Sequence, residues 1–213
     1  MDKRKQLKGY LLFLIGLFIA SMGVAFSAKA GLGTSPVSSI PYTVSLVNHA
    51  LTFGWWLNMW SLLQIAVQVI VLRGRCDKLQ IIIQIVLALV YGYLTDFSCS
   101  LLSFINPSTY ASQFFFMLVG CAVLALGIWI QFKGGVAMLP GEAMNRAISQ
   151  AAGKRYENVK IFFDILYILI AGIISMIFVG KLEGVREGSI IAALLVGNLI
   201  KLYNKLYNSL QSR

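Results

Sequence analysis

A pattern of glycine and proline residues occurs twice in this chain, with a shift of 104 residues. The matching residues are Gly16, Gly23, Lys29, Gly31, Pro36 and Ser45 in the first copy and Gly120, Gly127, Lys133, Gly135, Pro140 and Ser149 in the second. Glycine and proline matched in register indicate a shared backbone geometry, because both residues have unusual conformational ranges. We therefore expect the chain to consist of two related halves.

The composition predicts an all-α, polytopic membrane protein. Of 213 residues 58% are hydrophobic and 12% are charged, which is too apolar for one soluble domain. A helix needs about 20 apolar residues to cross a bilayer, and the longest uncharged stretch is divided at Pro107. One membrane domain, 1–213, is expected, with repeats at 8–102 and 111–207. The six predicted spans are 8–28, 52–73, 79–102, 111–132, 159–180 and 187–207.

The net charge of +10 is explained by the positive-inside bias of membrane proteins, so we expect no nucleic-acid partner. The N-terminal cluster of Lys3, Arg4, Lys5 and Lys8 and the C-terminal Lys201, Lys205 and Arg213 fall on the same side as most other basic residues. This distribution requires an even number of spans. It predicts that both termini are cytoplasmic and that the chain crosses the membrane six times.

Three spans in each copy is an odd number, so the two copies are expected to have opposite orientations in the membrane. Each copy also contains a polar segment, at 31–47 and 135–151. Pro36 suits the first position of a helix that Ser35 can cap, and Pro140 is its counterpart. We expect each segment to form a half-helix that enters the membrane from its own face. A surface amphipathic helix is the alternative.

The N-terminus of a half-helix presents unpaired N–H groups and part of the helix dipole, which favour an anionic ligand group. The first of these ends is predicted to be open, and the second to be neutralised by Glu142 in its first turn. We expect Gly135, Pro140 and Asn145 to contribute from the second copy. The predicted substrate-binding residues of the first copy are Lys29, Gly31, Gly33, Thr34, Ser35, Pro36, Ser38 and Ser39.

Asp164 falls inside the fifth predicted span, where a charge costs about 2.5–3.5 kcal/mol on insertion scales. It therefore calls for a partner, and Arg146 is the nearest candidate. Glu142 and Arg146 share one helical face, so a Glu142–Arg146–Asp164 cluster is predicted between the halves. It would either couple transport to protons or form a structural salt bridge. Other polar residues of the spans, including Gln84, are expected mainly to join helices.

We find no sequence feature of an enzyme. The chain has one histidine and three cysteines, with no metal-like spacing and no phosphate-binding loop. We therefore expect no enzymatic activity, no metal and no cofactor, and unpaired cysteines.

Two motifs resemble the bacterial YczE/YyaS/YitT-like integral membrane proteins. They are residues 30–36 (AGLGTSP) and 184–197 (GVREGSIIAALLVG), and the resemblance covers nearly the whole chain. The segment 137–139 departs from the second glycine-rich copy that is usual in these proteins. The resemblance implies a location in the bacterial plasma (inner) membrane and a role in transport, without a substrate.

The leading hypothesis is a small secondary transporter or permease for a polar or anionic solute, with its site between the two repeats. The alternative is a non-transporting membrane partner, either a substrate-capture subunit of an energy-coupled importer or an accessory to peptide maturation or export. In that case the small residues Gly16, Ala20 and Gly23 would dock a partner helix. A homodimer and a channel are further alternatives. The lipid bilayer is the one partner common to all of them.

Overall fold

The computed structural model describes residues 3–211, and the side chains of residues 6–210. The predicted basic residues Lys3, Arg4, Lys5 and Arg213 therefore contribute no side-chain information, and Arg213 lies outside the described chain. The described part contains eight helices and a single isolated β-bridge. The helices are α1 (Lys3–Ala30), α2 (Pro36–Val47), α3 (Phe53–Val71), α4 (Lys78–Leu101), α5 (Tyr110–Gly134), α6 (Pro140–Ala152), α7 (Tyr156–Val179) and α8 (Glu187–Gln211).

Six of these helices, α1, α3, α4, α5, α7 and α8, are long and apolar enough to cross a membrane. They coincide with the six predicted spans, with ends that differ by a few residues. The prediction of an all-α, multi-pass membrane protein is confirmed. The two remaining helices, α2 and α6, are the predicted short segments, and each begins at its proline.

Helices α1 and α5 form the antiparallel centre of the bundle. A Cβ atom on Gly16 would lie 2.7 Å from the carbonyl oxygen of Gly127, and one on Gly120 would lie 2.9 Å from that of Gly23. The two backbones are therefore in direct contact at both crossing points, which is possible because these positions lack side chains. The glycines of α1 are covered by α5. They are not available to dock a partner helix.

The other helices pack around this pair in matching positions. Helix α4 packs on α1 as α8 packs on α5, and α2 packs on α7 as α6 packs on α3. One pair breaks the correspondence, because α3 runs along α4 whereas α7 and α8 barely touch. Accordingly, a Cβ on Gly92 of α4 would lie 2.5 Å from Asn58 Cγ, whereas Gly197 of α8 has no neighbour within 4 Å.

The two short helices begin inside the bundle, with their first turns in contact. A Cβ on Gly141 would lie 3.3 Å from Val37 Cγ1, and both residues are the second of their helix. Ile40 and Met144, one turn further along each helix, share a buried cluster. Their N-termini therefore meet in the interior, and each short helix runs outward from there.

Ser35 occupies the N-cap position of α2, but the expected capping bond from its side chain is absent. Its hydroxyl lies 2.5 Å from the Ser38 hydroxyl, and its backbone carbonyl accepts the Ser38 amide at 3.0 Å. The backbone thus takes the place of the side chain in closing the first turn. The predicted cap is wrong in this detail.

Asp96 of α4 caps the start of α3. Its Oδ1 atom accepts the amide N–H of Gly54 at 2.7 Å, and its other oxygen accepts the hydroxyl of Thr52. Thr52 is itself the N-cap residue of α3 and accepts the amide of Trp55. One carboxylate therefore joins α4 to the positive end of the α3 dipole.

Replacing Asp96 with alanine is expected to destabilise the protein by about 1–2 kcal/mol, because the Gly54 amide and the Thr52 hydroxyl lose their acceptor. Thermal unfolding of the purified protein in detergent measures the change. Glu157→Gln is the matched control, since Glu157 forms an exposed ion pair with Arg155 and such pairs contribute little. Equal melting temperatures for the two variants would rule out the capping role.

Candidate functional site

A cavity of about 300 Å³ opens at one end of the bundle. We call this end, where α1 begins, end A, and the opposite end, where α1 finishes, end B. The cavity lies between the first turns of α4, the last turn of α5 and the segment that leads into α6. Its walls include Gln80, Ile83, Gln84, Gln131, Met138 and Arg146. Of the predicted site residues, Gly135 and Arg146 line it.

The cavity wall combines one cation with buried carboxamides. The Arg146 guanidinium is at the surface, with Nη1 3.7 Å from Met138 Sδ, and among the described residues it has no carboxylate partner. Gln84 and Gln131 are each only 4% exposed. Gln84 Oε1 and Gln131 Nε2 are buried without a hydrogen-bond partner in the described structure. Buried polar groups are normally paired, so these two carboxamides could bond a ligand after turning toward the cavity.

At end B the corresponding place is closed. Gly33 forms a β-bridge with Val185, and the amide of Gly188 donates to the carbonyl of Leu32 at 3.0 Å. Thr34, Ser38 and Ser39 are buried, while Lys29 is half-buried and Gly31 is exposed. The expectation of an open N-terminus at the first half-helix is therefore wrong. The start of α8 covers it.

The size of the side chains explains why one end is closed and the other is open. In the later part of the repeat the shift is 105 residues, as between Gly92 and Gly197, so Gly188 and Ser189 at end B correspond to Ile83 and Gln84 at end A. A Cβ on Gly188 would lie 2.5 Å from the carbonyl oxygen of Leu32, so the close contact at end B needs glycine there. Ile83 and Gln84 are bulkier and do not permit the same close backbone contact at end A.

Asp164 forms its ion pair with Lys160, one turn earlier on α7, with an N–O distance of 3.1 Å. Arg146 is not part of this pair, because it lies at the mouth of the cavity. The predicted contact between Arg146 and Asp164 is therefore wrong. Both charges of the observed pair come from a single helix, so the pair does not bridge the two halves.

Glu142 of α6 lies close enough to Lys160 and Asp164 to interact with both charges. Burial raises the pKa of Glu142 above its ordinary value, Lys160 opposes this effect and Asp164 adds to it. No side-chain bond from Glu142 to the free N–H groups of α6 is found in the described structure, contrary to expectation. The predicted cluster of Glu142, Arg146 and Asp164 is thus changed in one member, because Lys160 takes the place of Arg146.

Asn145 and Pro140 take positions inside the bundle rather than on the cavity wall. Asn145 is buried, and its Oδ1 atom has no hydrogen-bond partner among the described residues. Pro140 starts α6. Two functional candidates, Lys160 and Gln131, were missed from the sequence. The i to i+4 spacing of Lys160 and Asp164 was a usable signal, whereas Gln131 looks like an ordinary polar residue at the end of a span.

The six long helices and the two internal short ones define a multi-pass, all-α membrane protein. The chain belongs to a family of unknown function, DUF6198, whose model matches residues 7–205. The match extends over both halves of the bundle. No curated protein and no solved structure matches the chain.

Proposed function

We propose that this protein is a small permease, a secondary transporter whose solute site lies between two inverted halves. The observation that carries the proposal is the difference between the two ends. A cavity is open at end A, and its counterpart at end B is closed by the contact between Gly33 and Val185. A transporter that alternates between two faces has such a state, open to one side and closed to the other.

The contacts between equivalent positions support the inverted arrangement. Val37 and Gly141 are related by the shift of 104 residues and touch each other. Gly16 contacts Gly127, and Gly23 contacts Gly120, so the two contacts exchange the members of equivalent pairs. Contacts of this kind are expected around a two-fold axis that lies perpendicular to α1 and α5, in the plane of the membrane.

The charge distribution assigns end A to the cytoplasm in this proposal. End A carries Arg73, Arg75, Lys78 and Lys133, and cytoplasmic loops are enriched in such residues. Both termini are then cytoplasmic, and the structure corresponds to an inward-facing state. Residence in the bacterial plasma membrane and kinship with the YczE/YyaS/YitT-like proteins are parts of the same proposal.

The contact that closes end B involves few backbone hydrogen bonds, so it can open during transport. Its backbone hydrogen bonding consists of one bridge and one further bond. On each side it is flanked by a glycine with positive φ, Gly31 at 72° and Gly184 at 81°, and such glycines are suited to absorb a change of backbone direction. End B can therefore open without the separation of α1 from α5.

The alternative of a non-transporting partner protein loses the docking surface that the sequence suggested for it. Its docking surface was to be Gly16, Ala20 and Gly23, and α5 covers these residues. Transport is therefore the function that we propose.

Cysteines introduced one at a time are expected to show which end of the protein is accessible to water. In a background with Cys76, Cys99 and Cys121 replaced by alanine, Gln80→Cys at end A should react rapidly with a membrane-impermeant maleimide from the cytoplasmic side. Ser189→Cys should be protected, because Ser189 is fully buried. It should react from the other side only while solute is transported. Labelling in oriented membrane vesicles, with and without a mixture of radiolabelled amino acids, organic acids, nucleosides and vitamins, provides the measurement.

The same vesicles report uptake of each labelled solute, with vesicles that lack the protein as the control. Uptake of at least one solute, together with solute-dependent labelling of Ser189→Cys, supports a permease. Absence of uptake for the whole mixture would reject it. Equal labelling rates for the two cysteines without solute would reject the assignment of the closed end.

A further inference from the structure

We infer that the cavity at end A binds a small organic carboxylate that also carries a hydroxyl or amino group. The binding site is defined by the cavity alone. Its meaning as a transport site rests on the proposed function. The ligand class follows from three features, which are the charge of the cavity, its unpaired carboxamides and its size.

The charge of the cavity favours a carboxylate. Among the described residues that line it, Arg146 is the one with a charge, and no carboxylate of the described residues pairs with it. A guanidinium group offers a planar pair of N–H donors that matches a carboxylate in geometry as well as in charge. The Arg146 side chain is exposed and lies at the mouth. It can therefore meet an anion that enters from end A.

The buried carboxamides call for a ligand with both an acceptor and a donor. Gln131 Nε2 is an unpaired donor, and Gln84 Oε1 is an unpaired acceptor. Both atoms are covered by protein, so a rotation of each terminal carboxamide is needed to turn them toward the cavity. A carboxylate oxygen can then accept from Gln131 while the other oxygen accepts from Arg146. A hydroxyl or ammonium group on the ligand can then donate to Gln84. Simple carboxylates without a donor would leave Gln84 Oε1 unpaired, which lowers their affinity.

The size of the cavity restricts the ligand to a small molecule. Its volume of about 300 Å³ is at the lower limit for ligand sites. The space is also a consequence of specific side chains, because Ile83 and Gln84 stand where the closed end has Gly188 and Ser189. The cavity is therefore built from the sequences of both halves, and a bound ligand would fill the gap between its walls.

Binding is tested with the full-length protein purified in detergent, by calorimetry and by thermal stabilisation. The probes are lactate, glycerate and alanine, which carry a carboxylate and a donor group. Propionate lacks the donor, and lactamide lacks the charge. We expect saturable binding of at least one probe, with affinity about tenfold or more above that of propionate and lactamide. Binding of none of the three probes, or equal binding of propionate, would overturn the inference.

Variants of the cavity wall localise the binding. Arg146→Gln and Gln131→Leu are each expected to weaken binding of the best probe about tenfold or more. Arg146 is at the surface, so its variant should remain folded. The matched control is Arg75→Gln, which removes the same charge from an exposed position at end A. Affinity unchanged in Arg146→Gln, or reduced equally in Arg75→Gln, would overturn the assignment.

The outcome is separable from that of the transport experiment. Binding that depends on Arg146, without uptake in vesicles, supports the ligand class and rejects the permease. Uptake of a solute that is insensitive to Arg146→Gln rejects this binding site and leaves the permease standing.

Discussion

Replacement of Gly23 by valine is expected to prevent the correct packing of α1 on α5 and to remove most of the folded protein. A Cβ at this position would lie 2.6 Å from Leu124 Cα, a backbone atom that cannot turn aside as a flexible side chain can. The helices would have to separate along the centre of the bundle. Overpacking at such a site costs about 3 kcal/mol. The yield of monodisperse protein and its thermal unfolding in detergent measure the effect.

Gly127→Val should have the same effect from the other side, because a Cβ there would lie 2.7 Å from Ala20 Cα. Gly197→Val is the matched control. Gly197 is also within a membrane-spanning helix, but nothing lies within 4 Å of it, so valine should be tolerated. If Gly23→Val and Gly197→Val give the same yield and melting temperature, the central helix pair is not close-packed.

The residues that repeat along the sequence predicted much of the fold. Hydrophobic length located the six spans, and Pro36 and Pro140 marked the starts of the two short helices, because proline is tolerated at the first helical position. The pattern did not reveal which surface the glycines of α1 contact. Small residues favour close helix packing in general, and only the folded chain identifies α5 as the neighbour.

The state of each end could not be predicted from the sequence. The closure at end B joins Gly33 to Val185, which belong to different halves of the chain. The carboxamides of the cavity likewise come from α4 and α5. No local pattern relates such distant residues. The first half-helix was therefore expected to be open on the strength of its own glycines and hydroxyls, without the segment that covers it.

Two cations, Arg146 and Lys160, were available in the sequence as ion-pair partners of Asp164. Arg146 was expected as the partner of Asp164 because it was taken to be the nearest candidate in the sequence. Lys160 is one turn away on the same helix, and helical geometry alone brings residues four apart together. The local pair required no tertiary contact to form. Arg146 remained free to line the cavity.

Lys160→Met is expected to destabilise the protein by about 3 kcal/mol, because it leaves Asp164 without a cation inside a membrane-spanning helix. The Asp164 side chain is only 15% exposed, against 39% for Lys160. Asp164→Leu should therefore have a smaller effect, since the long side chain of Lys160 can extend toward the water at end A. Thermal unfolding in detergent and the amount of protein in the membrane measure both variants.

The double variant Lys160→Met with Asp164→Leu should recover most of the lost stability. Lys160 attracts the carboxylate of Glu142 and Asp164 repels it, so removal of both takes away two opposing effects on Glu142. A double-mutant cycle then gives a large coupling between the two residues. Lys160→Arg is the control that keeps the charge, and it should unfold close to the original protein. Additive effects of the two single changes, or equal melting of Lys160→Met and Lys160→Arg, would show that the pair does not stabilise α7.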